Sequence, residues 1–167
     1  MAIRTILHYP DPRLREKGLP IESVDERIRT LIDDMAETMY AAPGVGLAAT
    51  QIGEAVSLFV IDVADEEEPS ELRVFINPEI VSKQGKSCSR EGCLSFPGIS
   101  EEVERAAQVT VRALGRDGKP FEITADGLLG VAIQHEYDHL QGKLMIDHLG
   151  VIKRRIVHRQ SLKRDLE

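Results

Sequence analysis

Residues 135 to 139 read His-Glu-Tyr-Asp-His, and no other stretch of the chain limits its fold so tightly. On a helix of 3.6 residues per turn, histidines four apart lie about 40° apart around the axis, so both imidazoles can reach one metal ion. Glu136 stands beside the first histidine, placed to act on a metal-bound water rather than on the metal. This is the HExxH arrangement of a hydrolytic metal site. Around it, Leu128, Leu129, Val131, Ala132, Ile133 and Leu140 make the segment apolar over much of its circumference. Such a helix is a central, buried one, and the fold has to be built around it.

The rest of the chain reads as strands and two more helices. Ser23-x-x-Glu26 has the form of a capping box, and Ile28, Leu31, Ile32, Met35 and Met39 then follow at helical spacing as far as Pro43-Gly44. Val56 to Asp62 is a compact apolar run, a buried strand. Arg73 to Asn77 is a second strand, which Pro78 is expected to interrupt. Val103 to Leu114 contains another, and Gly115-Arg116-Asp117-Gly118 turns it back into one near Phe121 to Thr124. Asp126 is placed to cap the motif helix and Gly142 to end it. Leu144 to Ile146 is strand-like. Residues 151 to 166 form a terminal helix with Ile152, Ile156, Leu162 and Leu166 available for packing. Strands around one buried helix predict a single α+β domain over residues 1 to 167.

Composition narrows the function. Hydrophobic residues make up 42% and charged residues 29%, as in a globular protein. No apolar run approaches a membrane span and the first residues have no signal-peptide character, so no membrane role is expected. Cys88 and Cys93 are too few for a disulfide framework, which favours the cytoplasm. The net charge of -7 argues against nucleic acid as the main ligand. Residues 150 to 167, however, carry six Lys/Arg against Asp165 and Glu167, a net +4 that leaves -11 on the remainder. A basic tail on an acidic body can meet an anionic partner; a solvated helix face is the plainer reading.

Two histidines do not hold a catalytic metal, and a third protein ligand is expected, with one position left open. The extended HExxHxxGxxH form fails here, because Gly142 fits but Met145 stands in place of the last histidine. A downstream glutamate fares no better: after His148 the only acidic residues are Asp165 and Glu167, at the terminus. Upstream, Cys93 lies in the irregular segment Glu91-Gly-Cys-Leu-Ser-Phe-Pro-Gly98, and a thiolate is a strong ligand for a divalent transition metal. Cys93 is the favoured third ligand and Cys88 the weaker candidate. The glycine-rich segment from Pro43 to Gly53 has the wrong spacing for a dinucleotide fingerprint, but it brings Gln51, an uncharged donor, next to a flexible loop.

Three segments, Gly44 to Gln51 (GVGLAATQ), Glu91 to Ser95 (EGCLS) and Gln134 to Gly142 (QHEYDHLQG), together resemble the three signature motifs of the peptide deformylases, in their order and at their spacings. The resemblance extends over nearly the whole chain. It implies an α+β fold with antiparallel sheets wrapped around the HExxH helix, an N-terminal helix and a C-terminal helix. It implies Cys93, His135 and His139 as metal ligands and Glu136 as general base and acid. Gln51 and the Leu94 N–H correspond to the oxyanion donors. Val45, Gly46 and Gly92 correspond to contacts with the substrate backbone; Glu91, Leu128, Val131 and Ala132 correspond to the surroundings of the methionine side chain. The implied reaction is hydrolysis of the formyl group from N-formyl-methionyl nascent peptides, with a ribosome contact through the basic terminal helix. One departure is Ser100-Glu101-Glu102, where some bacterial members carry an arginine near the first position; it bears on peptide contacts beyond methionine. Ligand type alone suggests zinc; the resemblance implies iron(II), with zinc, nickel or cobalt as substitutes. A general HExxH endopeptidase and a structural metal domain are the competing classes.

Overall fold

The computed structural model describes residues 2 to 165. At its centre is α2 (Gly127–Leu140), the motif helix, buried at Gly130, from Ala132 to Glu136, and at His139 and Leu140. An antiparallel sheet of five strands lies against it, in the order β1 (Gly46–Ala48), β2 (Leu58–Ile61), β3 (Arg73–Gln84), β6 (Gln108–Leu114), β7 (Pro120–Asp126). A second antiparallel sheet pairs β4 (Ser87–Gly92) with β5 (Ser100–Arg105). Helix α1 (Glu26–Ala41) packs on β1 and β2; helix α3 (Val151–Asp165) packs beside a 3-10 turn at Met145–His148. The architecture is α+β, with antiparallel sheets around the HExxH helix.

The apolar run at Val56 to Asp62 does not alternate because β2 is covered on both faces. Leu58 and Val60 pack with Ile28, Ile32, Met35 and Met39 of α1. Phe59 and Ile61 point the other way, to Ala132, Ile133 and Leu140 of α2. Successive strand residues face opposite sides, so one sheet separates two apolar layers. A third cluster joins Leu7 and Leu14 to Phe96, Val103, Met145, Ile146 and Val157.

The structure corrects several local expectations. The first helix starts at Glu26 and is capped by Asp25, whose carboxylate accepts from the Ile28 N–H at 3.1 Å; Ser23 lies outside it. An anion there also meets the positive end of the helix dipole. Pro78 does not end the second strand. β3 runs through it, with a register shift between Ile76 and Glu79 and a positive φ of 51° at Asn77. Proline is tolerated at such a bulge because the ladder requires no N–H there. The Asn77 amide exchanges two 2.8 Å hydrogen bonds with the Ile21 backbone, which anchors the irregularity. Val103 to Leu114 holds parts of two strands from different sheets, not one. Asp126 occupies the N-cap of α2 without a capping bond from its side chain. Leu144 to Ile146 leads into a 3-10 turn rather than forming a strand. On α3 the inward side chains are Val157 and Ser161, whereas Ile152, Ile156 and Leu162 are exposed; Leu166 lies outside the described residues.

Gly142 closes α2 in the left-handed region, at φ 75°, and a Cβ there would meet the Arg15 carbonyl oxygen at 2.5 Å. Gly98 has the same φ of 75° with nothing within 4 Å. We expect Gly98→Ala to cost about 1 kcal/mol of stability and Gly142→Ala at least about 2 kcal/mol, since strain and a backbone clash add. Denaturant unfolding of the two variants checks this; equal losses would contradict it.

Candidate metal centre and its cavity

Cys93 leaves the end of β4 and faces α2, where His135 and His139 stand one turn apart. The Cys93 Sγ and one ring nitrogen from each histidine all lie within 4.8 Å of one another. Sγ is 3.4 Å from His139 Nε2. Donor atoms placed ~2.0–2.3 Å from a tetrahedral ion stand roughly 3.4–3.7 Å apart, so these residues fit a divalent metal. Among the described residues no fourth histidine, cysteine or carboxylate joins them, which leaves room for a non-protein ligand, as in catalytic rather than structural sites. Cys88 is exposed on β4, outside the cluster.

Behind the ligands runs a ladder of buried charges. His135 Nδ1 is 3.0 Å from Glu91 Oε1, which leaves Nε2 to face the centre. The Arg105 guanidinium donates to both Glu91 oxygens, at 2.6 and 2.9 Å, and to Asp138 at 2.9 Å; Asp138 also meets His148 Nε2 at 2.7 Å. Burial pushes the Glu91 carboxyl up, but His135 and Arg105 outweigh it and hold the group below its ordinary range. Burial works against Asp138 in the same way, and His148 and Arg105 bring it down to about 2. Glu91 lines the cavity, yet both its oxygens are engaged here, and its visible task is to orient His135. Sequence reading missed Arg105, Asp138 and His148 in this role. Only the register of β5, which seats Arg105 over α2, brings them together.

Glu136 is buried, and burial raises its carboxyl to about 7. One of its oxygens, Oε1, has no hydrogen-bond partner within the protein. A Cβ at Gly46 would come within 2.6 Å of the other, so only glycine lets β1 pass this close. Gln51, in the 3-10 turn Ala49–Ile52, accepts from the Ala48 N–H at 2.9 Å. That fixes its amide, and Nε2 points to Ser95 Oγ at 3.0 Å and Cys93 Sγ at 3.7 Å. The Leu94 N–H, next to Cys93, takes no backbone acceptor among the described residues.

All of this opens on a cavity of about 1210 Å³. Every site residue expected from the sequence lines it except His139, which is fully buried behind. Ala132 is buried in the wall and Val131 half-buried, while Val45 and Leu128 are exposed at the rim. Ile6, Phe96 and Ile99 also line the cavity. They come from irregular segments, where no periodicity marks them.

A model of the polypeptide deformylase family matches residues 3–155. The peptide deformylase of Azotobacter vinelandii is 57% identical over 155 residues, covering 92% of this chain and 91% of that protein. Peptide deformylase 2 of Xanthomonas axonopodis is 51% identical over 166 residues, 98% of this chain and 96% of that one. Among solved structures, a peptide deformylase from Legionella pneumophila superposes with a TM-score of 0.91 at 52% identity, over 98% of this chain and 95% of the other. The Ehrlichia chaffeensis enzyme in complex with actinonin gives 0.93 at 37% identity, over 98% of each chain.

Metal binding should grade with distance from the centre. Cys93→Ala is expected to abolish stoichiometric binding and Cys88→Ala to leave it intact. Arg105→Met, which frees Glu91, should weaken affinity by about 10–100-fold, the usual scale for groups that orient a ligand. Chelator competition on the purified variants measures all three, and full occupancy in the Cys93 variant would overturn the ligand assignment.

Proposed function

The chain belongs to the polypeptide deformylase family, and we propose that its buried centre removes the formyl group from the initiator formyl-methionine of nascent polypeptides, releasing formate. The observation that carries this reading is Glu136: a buried carboxylate, beside three metal-ligating side chains but not among them, with one oxygen unpartnered at a cavity large enough for a peptide end.

A divalent ion held by Cys93, His135 and His139 would supply Lewis acidity to a water molecule and to the formyl carbonyl. Glu136, poised near neutrality, takes the proton from the attacking water and returns one to the departing amine. Water adds to the formyl carbon, the carbon–nitrogen bond breaks, and formate and a free α-amine result. Gln51 Nε2 and the Leu94 N–H donate to the oxyanion; one such donor is worth roughly 3 kcal/mol. Val45, Gly46 and Gly92 offer backbone groups to the peptide, and Leu128, Val131 and Ala132 give the methionine side chain an apolar wall. Iron(II) is the metal of this reading, with zinc, nickel or cobalt as substitutes, and the resemblance supports it; the donor set by itself suggests zinc. Residues 1 to 167 act as one domain, a reading supported by the extent of the family match. A nascent-chain substrate puts the enzyme in the cytoplasm, and no described helix is long and apolar enough to cross a membrane.

We expect Glu136→Gln to retain its metal while hydrolysis of a formyl-methionyl peptide falls by about 10³-fold. Metal content and turnover, measured on the same preparation, check this. Loss of metal along with activity would make Glu136 a ligand and refute its role.

The terminal helix suits contact with the ribosome. Lys153 pairs with Glu101, while Arg154 and Arg164 bind backbone carbonyls. Arg155, Arg159 and Lys163, four residues apart on one stripe, have no carboxylate partner among the described residues and are exposed. A cationic stripe on an acidic body is attracted to an anionic particle. Replacing all three by glutamate should abolish salt-sensitive co-sedimentation with ribosomes and spare hydrolysis of a short formyl peptide. Unchanged co-sedimentation would refute the docking role.

A further inference from the structure

The cavity follows β4 back from Cys93, past Gly92 and Arg90, to Ser87. Among the described residues, Arg90 is the one arginine or lysine that lines it. Its Nη1 donates to the Ser100 carbonyl at 2.9 Å and to the Ser100 hydroxyl at 3.2 Å, which holds the guanidinium in place. An arginine carries five N–H donors in a rigid fork, so Nε and Nη2 remain to receive a planar anion. Among the described residues no carboxylate lies within ion-pair distance of Arg90, although Glu102 is its cross-strand neighbour.

Distance says which part of a substrate this fork can reach. Arg90 is three residues before Cys93, and Ser100, which holds its guanidinium, opposes Gly92, so the fork stands within about 10 Å of Cys93 along the strand. An extended peptide advances ~3.3–3.6 Å per residue. With the formyl carbon at the metal centre, the side chains within reach of the fork belong to the first and second residues after methionine.

We propose that Arg90 is a specificity-determining residue, whose guanidinium receives a carboxylate side chain on one of the two residues after methionine. This rests on the deformylase reading and sets the class of substrate favoured: formylated chains with an early aspartate or glutamate. The contact is exposed and exists before the reaction begins, so it lowers KM and leaves kcat alone. An exposed pair of this kind changes affinity by roughly threefold to fivefold, and salt screens it.

The test compares N-formyl-Met-Asp-Ala-amide and N-formyl-Met-Ala-Asp-amide with their Asn and Lys counterparts, and with N-formyl-Met-Ala-Asn bearing a free C-terminal carboxylate. For the metal-loaded wild type, KM should rise about fourfold from Asp to Asn amide at one of the two positions, and further for Lys. In Arg90→Gln the Asp-to-Asn ratio should fall to about one, and in Arg90→Glu the Lys peptide should become the preferred one. Because Arg90 is exposed, thermal melting and metal content verify that these variants stay folded. A wild-type ratio of one at both positions overturns the inference, as does a preference that survives in Arg90→Gln. A preference shown only by the free acid assigns the fork to the chain terminus and overturns the side-chain assignment. Failure of the wild type to hydrolyse any of these peptides defeats the deformylase reading and this inference together.

Discussion

Placing a glutamate and two histidines in the middle of a protein is unfavourable unless each polar group is answered, and the rest of this structure follows from how that is done. His135 leans on Glu91, Glu91 on Arg105, and Arg105 on Asp138, which meets the partly exposed His148. Each buried charge in this ladder has an opposite charge at hydrogen-bonding distance, the condition under which burial of ions is tolerated. The ladder also crosses between elements: Glu91 is on β4, Arg105 on β5, His135 and Asp138 on α2. It therefore ties the small sheet to the central helix, and the same contacts that satisfy the charges orient a metal ligand.

Glu136 is an exception, and so is His139, whose Nδ1 also finds no partner. The Glu136 Oε1 has no partner, and burial, with the nearby Glu91 and Asp138 carboxylates adding to it, drives its carboxyl to about 7. A buried carboxyl left unanswered beside a ladder of compensated charges is a candidate for chemistry rather than for stability. The glycine at 46 belongs to the same design. It gives β1 no side chain where one would collide with Glu136, and the cavity remains open there.

The apolar frame holds these groups at fixed distances. β2 and its neighbours separate the α1 layer from the α2 layer, so the sheet is packed on both sides along its inner strands. The third apolar cluster seats Phe96 beneath the loop that carries Cys93, and Tyr9 stacks on that ring at 4.9 Å. The backbone between residues 7 and 9 donates to the two segments that carry Gln51 and Leu94, Leu7 N to the Gln51 carbonyl at 2.7 Å and Tyr9 N to the Ser95 carbonyl at 2.9 Å. An N-terminal strap thus keeps in register two segments that lie more than forty residues apart.

Local chemistry determined what could be read from the sequence alone. Helical spacing places His135, Glu136 and His139 on adjoining positions of one turn, and apolar residues around them require the helix to be buried; both follow from a period of 3.6. The failure of every downstream ligand left Cys93. The α+β class, the α1 core positions and the double-sided character of β2 come from patterns a few residues long. What only the tertiary structure decided depends on contacts between distant segments. Pro78 lies inside β3 because Asn77 finds its partners at Ile21, fifty-six residues away, and absorbs the bulge. The supporting role of Glu91 depends on Arg105 from the neighbouring strand, and the inward face of α3 depends on which side meets Met145 and Leu7. Residue spacing encodes the faces of a single element, whereas the pairing of elements is set by packing and charge compensation across the whole chain, which no local pattern records.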